Sequence, residues 1–444
     1  MAAACRELDI VFQVLAAVLL GLLPLVSFAE PLVIGVGTHF AVEPPGTDVN
    51  AFRSWMARSR FTSSRDEMYW VSAEDASGTL ALRQGALQSR QVWASMPSPF
   101  AGLLVLDYGH PGYDSGGQPK SDKARGAFAR YADFVVSQIG PHVRWVEVWN
   151  EWNLPNPRER AAGSQGQAKD YVDLVRTTYR KLKAEHPAIQ VLAGSSGDDT
   201  PDWRWMQQAI SHGMLAHTDG VAVHMYNHCI RADLVGSDDL AERLDALHGI
   251  VTAAGYPKLP LFVTEVGWPT HQGACGIAET AAAAHSLRFV LEASVRPWVA
   301  GVWFYELQDG GDDPHNREHR FGLLRRDGTE KPAGCALREL GAQVAQRPFA
   351  FLRVNGVGLA GFRNGSTDRW LVWTRGQAQQ PVSVRLESTA VRASSFASPA
   401  FCGLPAPDMR VDPQGRFATL RLAPRSVHVV DIPAGAALKM EEFQ

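Results

Sequence analysis

Short apolar runs recur along the chain with longer stretches of helical periodicity between them. This is the pattern of repeated β–α units feeding a parallel sheet. The runs predict strands at Leu32–Gly37, Glu67–Val71, Leu103–Asp107, Arg144–Trp149, Gln190–Ala193, Gly220–His224, Leu261–Thr264 and Gly301–Tyr305. Between them, apolar spacing predicts helices at Val49–Arg58, Lys123–Ile139, Lys169–His186, Trp203–His212, Leu240–Ala254 and Glu279–Val295, with a weaker one at Leu80–Val92. Strands and helices alternating in this way fit an α/β fold, a (β/α)8 TIM barrel over residues 30–346. A doubly wound open sheet is the alternative, but no GxGxxG opens a helix anywhere in the chain.

After Arg347 the helical periodicity stops. Short β-rich runs follow at Trp370–Thr374, Val382–Leu386, Phe417–Leu422 and Val427–Ile432, separated by Pro, Gly, Ser and Asn. They predict a small C-terminal antiparallel β-sandwich over residues 347–444. At the other end, Ile10 to Val26 is apolar apart from Gln13, Gly21 and Pro24, and Ser27-Phe28-Ala29 has the small-x-small form of a cleavage site. Residues 1–29 therefore read as a signal peptide, which places the mature chain in the periplasm or outside the cell. The alternative is an uncleaved inner-membrane anchor formed by residues 10–26, with Glu7 and Asp9 weakening the signal reading.

The formal charge is −3 over 444 residues, which leaves no electrostatic footprint for nucleic acid. An uncharged or weakly charged partner is expected, and the 13 Trp supply indole faces suited to sugar rings as well as to the core. Beyond Cys5, four cysteines remain: Cys229, Cys275, Cys335 and Cys402. None forms a CxxC pair, and an even number suits an exported chain. Cys229 and Cys275 fall in the loops after the sixth and seventh strands, on the same rim of a barrel. A bridge there would close a 46-residue separation and add roughly 3 to 4 kcal/mol. Pairing of Cys335 with Cys402 rests only on their being the two that remain.

The chemistry concentrates at two strand ends. Trp145-Val146-Glu147-Val148-Trp149-Asn150-Glu151 ends the fourth strand in polar residues, and Leu261-Phe262-Val263-Thr264-Glu265 ends the seventh in a carboxylate. Barrel enzymes work at the C-terminal strand ends. Cleaving a glycosidic bond requires two carboxyl groups, one to protonate the leaving oxygen and one to attack or to activate water. Glu147 lies four residues before Glu151 on the same barrel side and reads as structural. His224 or Tyr226, ending the sixth strand, could orient Glu265. Trp303 and Tyr305 share a face of the eighth strand, and one of them could form the platform under the cleaved sugar. His39, ending the first strand, is a further candidate lining residue. His315-Asn316-Arg317-Glu318-His319 spells HxxEH, a zinc-peptidase string, but follows Gly310-Gly311-Asp312-Asp313-Pro314 and reads as a loop. No metal or cofactor is expected.

The Asn-Glu ending strand 4 and the Glu ending strand 7 resemble the clan A glycoside hydrolases, and Trp-x-Glu-Val-Trp-Asn-Glu is similar to family 39 within that clan. The resemblance covers residues 32–345. It implies that Glu151 is the general acid/base, Glu265 the nucleophile of a retaining double displacement, and Asn150 the partner of the sugar 2-hydroxyl. Arg65 resembles the clan's strand-2 Arg beside the nucleophile. Within the family the chain looks most like bacterial hydrolases of biofilm exopolysaccharide, which implies a monomeric, endo-acting enzyme with a polysaccharide substrate. A transglycosylase on the same residues, or a carbohydrate-binding protein of a polysaccharide export system, remains open. Where the family usually has Pro after the Asn-Glu pair, this chain has Trp152, placed to line the leaving-group side. Retention further implies carboxyl groups about 5 to 5.5 Å apart.

Overall fold

The computed structural model describes residues 30–42, 46–154, 166–197, 200–230, 235–354, 356–375, 382–388, 402, 408–411, 417–422, 426–435 and 438–443. The expected signal or anchor, residues 1–29, lies outside them. Among the described residues no helix is long and apolar enough to cross a membrane.

Eight parallel strands close into a barrel in chain order: β1 (Val33–Gly37), β2 (Ser63–Tyr69), β3 (Gly102–Asp107), β4 (Val143–Val148), β5 (Gln190–Ser196), β6 (Gly220–Met225), β7 (Leu261–Val266) and β8 (Val299–Phe304). The last strand returns to the first through pairs such as Gly35↔Trp303. The helices around them are α1 (Val49–Ser59), α2 (Gln84–Ala94), α3 (Asp122–Ile139), α4 (Ala168–Glu185), α5 (Arg204–Ser211), α6 (Ser237–Ala253), α7 (Glu279–Ser294) and α8 (Pro332–Ala345). Side chains alternate across each strand, so every second residue points into the barrel. Leu103, Val105, Trp145, Leu192, Ala222, Phe262 and Trp303 form one interior apolar layer. Glycine makes room for the largest of them, since a Cβ at Gly35 or Gly301 would come within 2.3 or 2.4 Å of the Trp303 indole.

The second strand departs from expectation. It begins at Ser63 rather than Glu67, and Trp70–Ser72 is a 3-10 turn. The run Ser63-Ser64-Arg65-Asp66 reads as loop because it is polar, yet all four side chains are buried. Their polarity is satisfied inside: Ser64 accepts from Trp93, Asp66 from Ser89 and the Phe40 amide, and Arg65 reaches two carboxylates. Buried polar groups are tolerated where each finds such a partner.

Beyond the barrel stand two four-stranded antiparallel sheets. One has the order β15-β11-β10-β9 and the other β13-β14-β12-β16. Their strands are β9 (Ala350–Val354), β10 (Val357–Asn364), β11 (Thr367–Thr374), β12 (Val382–Ser388), β13 (Asp408–Val411), β14 (Phe417–Leu422), β15 (Val427–Pro433) and β16 (Leu438–Phe443). Leu359, Trp370, Val372 and Val430 of the first sheet share a core with Leu420 and Leu422 of the second, which makes the pair a sandwich. Glu292 on α7, fully buried, ties sandwich to barrel by accepting from Arg296 just past the end of that helix, from Arg353 and Arg375, and from the Trp373 indole.

Both pairs of cysteines are bridged, Cys229–Cys275 with Cα atoms 4.9 Å apart and Cys335–Cys402 with Cα atoms 5.4 Å apart. Both separations sit within the span a disulfide reaches. The first bridge joins the β6 and β7 loops across 46 residues. Replacing both Cys229 and Cys275 by Ser should lower the unfolding free energy by roughly 3 to 4 kcal/mol. Urea denaturation measures this, and an unchanged midpoint would refute it.

Candidate active site

Glu151 and Glu265 meet at the C-terminal mouth of the barrel because two local irregularities turn them there. After β4 the chain bends sharply, with Trp149 at φ 67° and Glu151 at φ 50°, a left-handed conformation uncommon outside glycine. Neighbouring strands hold it: the Trp149 amide donates to Leu106 O at 3.0 Å and the Glu151 amide to Ser195 O at 3.0 Å. Asn153 adds a clamp, donating to Gly197 O and accepting from the Gly197 amide at 3.0 Å. In β7 the pairing with β6 slips from Val223↔Val263 to His224↔Glu265. An extra residue in a strand re-aims its side chains, and here consecutive Thr264 and Glu265 both meet interior groups.

Glu265 is 8% exposed. One oxygen accepts from Arg65 Nη1 at 2.7 Å and the other from the Tyr226 hydroxyl at 2.6 Å. Burial works against its ionisation, but the charges of His224 and Arg65 and the Tyr226 hydrogen bond outweigh it and hold its carboxyl below the usual range. Arg65 also donates from Nε to Glu147 Oε2 at 2.7 Å and from Nη2 to Asn150 Oδ1 at 3.0 Å. The Asn150 amide then donates to the Tyr108 hydroxyl at 2.8 Å. His224 Nδ1 lies 2.9 Å from Glu151 Oε1, and its Nε2 lies 3.3 Å from Glu147 Oε1. Burial lowers the pKa of this imidazole, but the three surrounding carboxylates overcome that and push it up to about 10. Glu147, fully buried, is drawn down to about 2 against its desolvation by Arg65 and His224. Two cations are thus interleaved with three carboxyl groups under the mouth of the barrel.

One ligand atom from each of Glu151, His224 and Glu265 falls within 4.8 Å of the others, a spacing that could also suit a cation. The donor set fits a proton network better. Both Glu265 oxygens already accept from protein donors, and the Arg65 guanidinium stands 3.4 Å from His224 Nε2.

Above this layer opens a cleft of about 890 Å³, and Glu151, Glu265, Asn150, His39, Tyr226 and Tyr305 line it. His39 is held by Glu306 at 3.0 Å and is raised to about 9, the Glu306 carboxylate overcoming the effect of burial. Two sequence assignments, those of Trp303 and Trp152, need correction. Trp303 is fully buried in the interior layer, its indole donating to Ser63 Oγ at 2.9 Å, so it is a core plug and no sugar platform; Tyr305, two residues on, reaches the cleft. Arg65 and His224 are 3% and 1% exposed and lie beneath the cleft, where both touch the Glu265 carboxylate. Trp152 is also fully buried, against Trp149 and Tyr171, and does not line the leaving-group side.

The HxxEH string forms a loop with one 3-10 turn, Arg317–His319, and its His315 faces the Gln272 carbonyl at 2.9 Å. Glu67, Tyr69 and Tyr108 line the cleft without having been singled out in the sequence. Once β2 is known to start at Ser63, the period of two from Arg65 points to Glu67 and Tyr69.

No protein-family model matches the chain, and no curated protein matches it. Solved structures do. A family 39 glycoside hydrolase from the gut symbiont Bacteroides cellulosilyticus WH2 superposes with a TM-score of 0.67 at 21% identity, covering 91% of this chain and 81% of that one. A family 39 enzyme from Xanthomonas axonopodis pv. citri gives a TM-score of 0.61 at 16% identity, covering 92% and 96%. A monomeric β-xylosidase from Caulobacter crescentus gives 0.56 at 15% identity, covering 94% and 97%. The closed eight-stranded barrel followed by antiparallel sheets is therefore the fold this chain shares with family 39 glycoside hydrolases of known structure.

Proposed function

We propose that this chain is a retaining glycoside hydrolase in which Glu265 attacks the anomeric carbon and Glu151 is the general acid/base. One observation carries the reading: a buried Glu265, held ionised by His224 and Arg65 against its burial, faces Glu151 across a cleft, with an oxygen of each within 4.8 Å. That spacing sets the two carboxyl groups close together. It matches the close pair of a double displacement, roughly 5 to 5.5 Å, better than the roughly 6.5 to 9.5 Å of an inverting pair.

In the first step Glu265 forms a bond to the anomeric carbon while the glycosidic C–O bond breaks and Glu151 gives its proton to the departing oxygen. In the second, Glu151 takes a proton from water, whose oxygen displaces Glu265 from the sugar with net retention. Asn150 is aimed by Arg65 and Tyr108 to hydrogen-bond the sugar 2-hydroxyl, a contact that strengthens as positive charge develops on the ring. Arg65 and Tyr226 stabilise Glu265 as it is released again, and the His224 imidazolium stabilises Glu151 after it has lost its proton.

The cleft is lined beyond the carboxylate pair by Tyr69 and Tyr108 at the ends of β2 and β3 and by Leu154, Pro201 and Ile230 of the loops after β4, β5 and β6. This supports internal cleavage of a chain, and we assign the substrate as a bacterial exopolysaccharide. Two disulfides suit an enzyme working in the periplasm or outside the cell. Incubation with a panel of purified matrix polysaccharides tests the reading, with Glu265→Gln as control. New reducing ends are expected; redistribution of chain lengths without them would mean transglycosylation instead. If neither appears on any glycan, the protein is a binder and the enzymatic reading falls.

Gly197 provides a sharper probe of Glu151. A Cβ at this position would lie 2.2 Å from Glu151 Oε1, so the Gly197→Ala methyl must push the carboxyl aside. Displacing a catalytic group by about 1 Å can cost on the order of a hundredfold. Gly197→Ala should lower kcat by about ten- to a hundredfold with little change in melting temperature. Unaltered kcat would mean that Glu151 does not act from the position seen here.

A further inference from the structure

Proton transfer from Glu151 to the departing oxygen puts the leaving group on the Glu151 side of the cleft. Gly197 backs Glu151 there, and Leu154 and Pro201 of the loops after β4 and β5 line the space beyond. The sugar that stays bonded to the enzyme must occupy the other part, walled by Glu67, Tyr69 and Tyr108 together with His39 and Tyr305. This wall is built rigidly. The Tyr69 hydroxyl donates to Glu67 Oε2 at 2.7 Å, and the Tyr69 and Tyr108 rings stack with centroids 5.9 Å apart. Tyr108 accepts from Asn150, which Arg65 links to Glu265. The wall is thereby keyed to the reacting carboxylate.

The cations His39, Arg65 and Arg317 beside the cleft are already paired. His39 is committed to Glu306 at 3.0 Å, Arg65 to Glu147 and Glu265, and Arg317 to Glu318 at 2.7 Å. Among the described residues no cation lies within salt-bridge distance of Glu67, and no protein donor reaches its Oε1. On the neighbouring β3, level with Tyr69, lies Asp107, fully buried, with neither side-chain oxygen hydrogen-bonded among the described residues. Burial and the nearby Glu67 charge raise its pKa well above the ordinary carboxylate range. The end of the cleft that holds the retained sugar therefore presents one half-buried carboxylate, ready to accept hydrogen bonds, with the charges of His39 and Arg65 nearby but already paired to Glu306, Glu147 and Glu265.

Building on the hydrolase reading, we propose that Glu67 is a specificity-determining residue of this subsite, accepting hydroxyl hydrogen bonds from an uncharged pyranose and excluding uronic acids. A sugar hydroxyl can donate to the free oxygen, whereas a uronate carboxylate would bring a second negative charge beside it in a partly desolvated space. Tyr69 is a positioning residue that fixes the Glu67 carboxylate.

The test uses the full chain carrying Glu265→Gln, which binds without turnover, and titration calorimetry with xylo-, gluco- and manno-oligosaccharides and oligogalacturonides of equal length. At least one neutral series should bind, with the oligogalacturonide weaker by about a hundredfold or more. Adding Glu67→Gln should weaken the neutral sugar by about tenfold, the loss of one hydrogen bond to a charged group. Tyr69→Phe should weaken it less, for the same sugar. Equal affinity for the galacturonide, no binding of any neutral series, or undiminished neutral binding by a folded Glu67→Gln protein would each overturn the proposal. The hydrolase reading is tested separately: if the unsubstituted protein cleaves none of the sugars that bind, that reading fails while the Glu67 assignment stands.

Discussion

Replacing Glu265 by Gln is expected to lower turnover by at least about a thousandfold while the protein keeps its fold. The loss follows from covalent catalysis, since an amide cannot form and release the glycosyl ester. The retained fold follows from the partners. In Glu265→Gln the new amide keeps a carbonyl oxygen that accepts from Arg65 Nη1, and its nitrogen can donate to the Tyr226 oxygen, which turns from donor to acceptor. Arg65 also keeps Glu147 at 2.7 Å, so no charge is left unpaired in the barrel. Initial rates on a responsive polysaccharide, with a thermal melt on the same sample, decide the matter. Near-normal turnover would sink the assignment of Glu265 as nucleophile, and a collapsed melt would mean that its role in the ion network had been underestimated.

The second large effect is expected far from the cleft. Glu292 is fully buried on α7 and accepts from Arg296, Arg353, Arg375 and the Trp373 indole, joining the barrel to both β9 and β11 of the sandwich or the residues beside them. Breaking a buried ion pair by removing one partner costs about 3 to 5 kcal/mol, because the other charges stay buried without compensation. Arg296 retains Asp245, which moderates the loss, so Glu292→Gln should cost about 3 kcal/mol in urea unfolding at neutral pH. The pH dependence carries a sign. Arg296 and Arg375 hold the Glu292 pKa below its ordinary value against the effect of burial. Its stabilisation is therefore present above the unfolded-state carboxylate pKa, about 4.3, and is lost as pH falls below that. The gap between the parent and Glu292→Gln should narrow on acidification. A constant gap from neutral to acid pH would exclude the charge as its source.

The barrel was legible because its signal is repeated. Each β–α unit pairs a short apolar run with a helix of regular apolar spacing, and eight repeats compensate for the weakness of any one. The exception, β2, shows where that logic stops. A strand whose inward face carries Ser63, Arg65 and Glu67 has no apolar alternation to read, because its partners are polar groups such as the Glu147 carboxylate and the Trp303 indole of other strands. The same limit explains Trp303. Period two correctly placed it inward, but depth along the barrel axis decides between core and cleft. Trp303 sits in the apolar layer with Trp145 and Phe262, while Tyr305, one step further along, clears it.

What the sequence by itself determined, then, is the order of elements, the β-rich terminal region and the presence of a carboxylate at the mouth of β4 and of β7. These are properties of local periodicity and of strand ends, and they survive any error of a residue or two in register. Only the tertiary structure decided which groups act on those carboxylates. Arg65 and Glu265 are 200 residues apart in the chain and 2.7 Å apart in space. His224 stands between Glu147 and Glu151 because β6 lies only one strand away from β4 in the closed barrel, with β5 between them. The cleft wall of Glu67, Tyr69 and Tyr108 exists because β2 and β3 pair in register. The physical reason is that hydrogen bonds and charge pairs act over a few ångströms and carry no signature along the chain, whereas burial imposes its period on every element that forms.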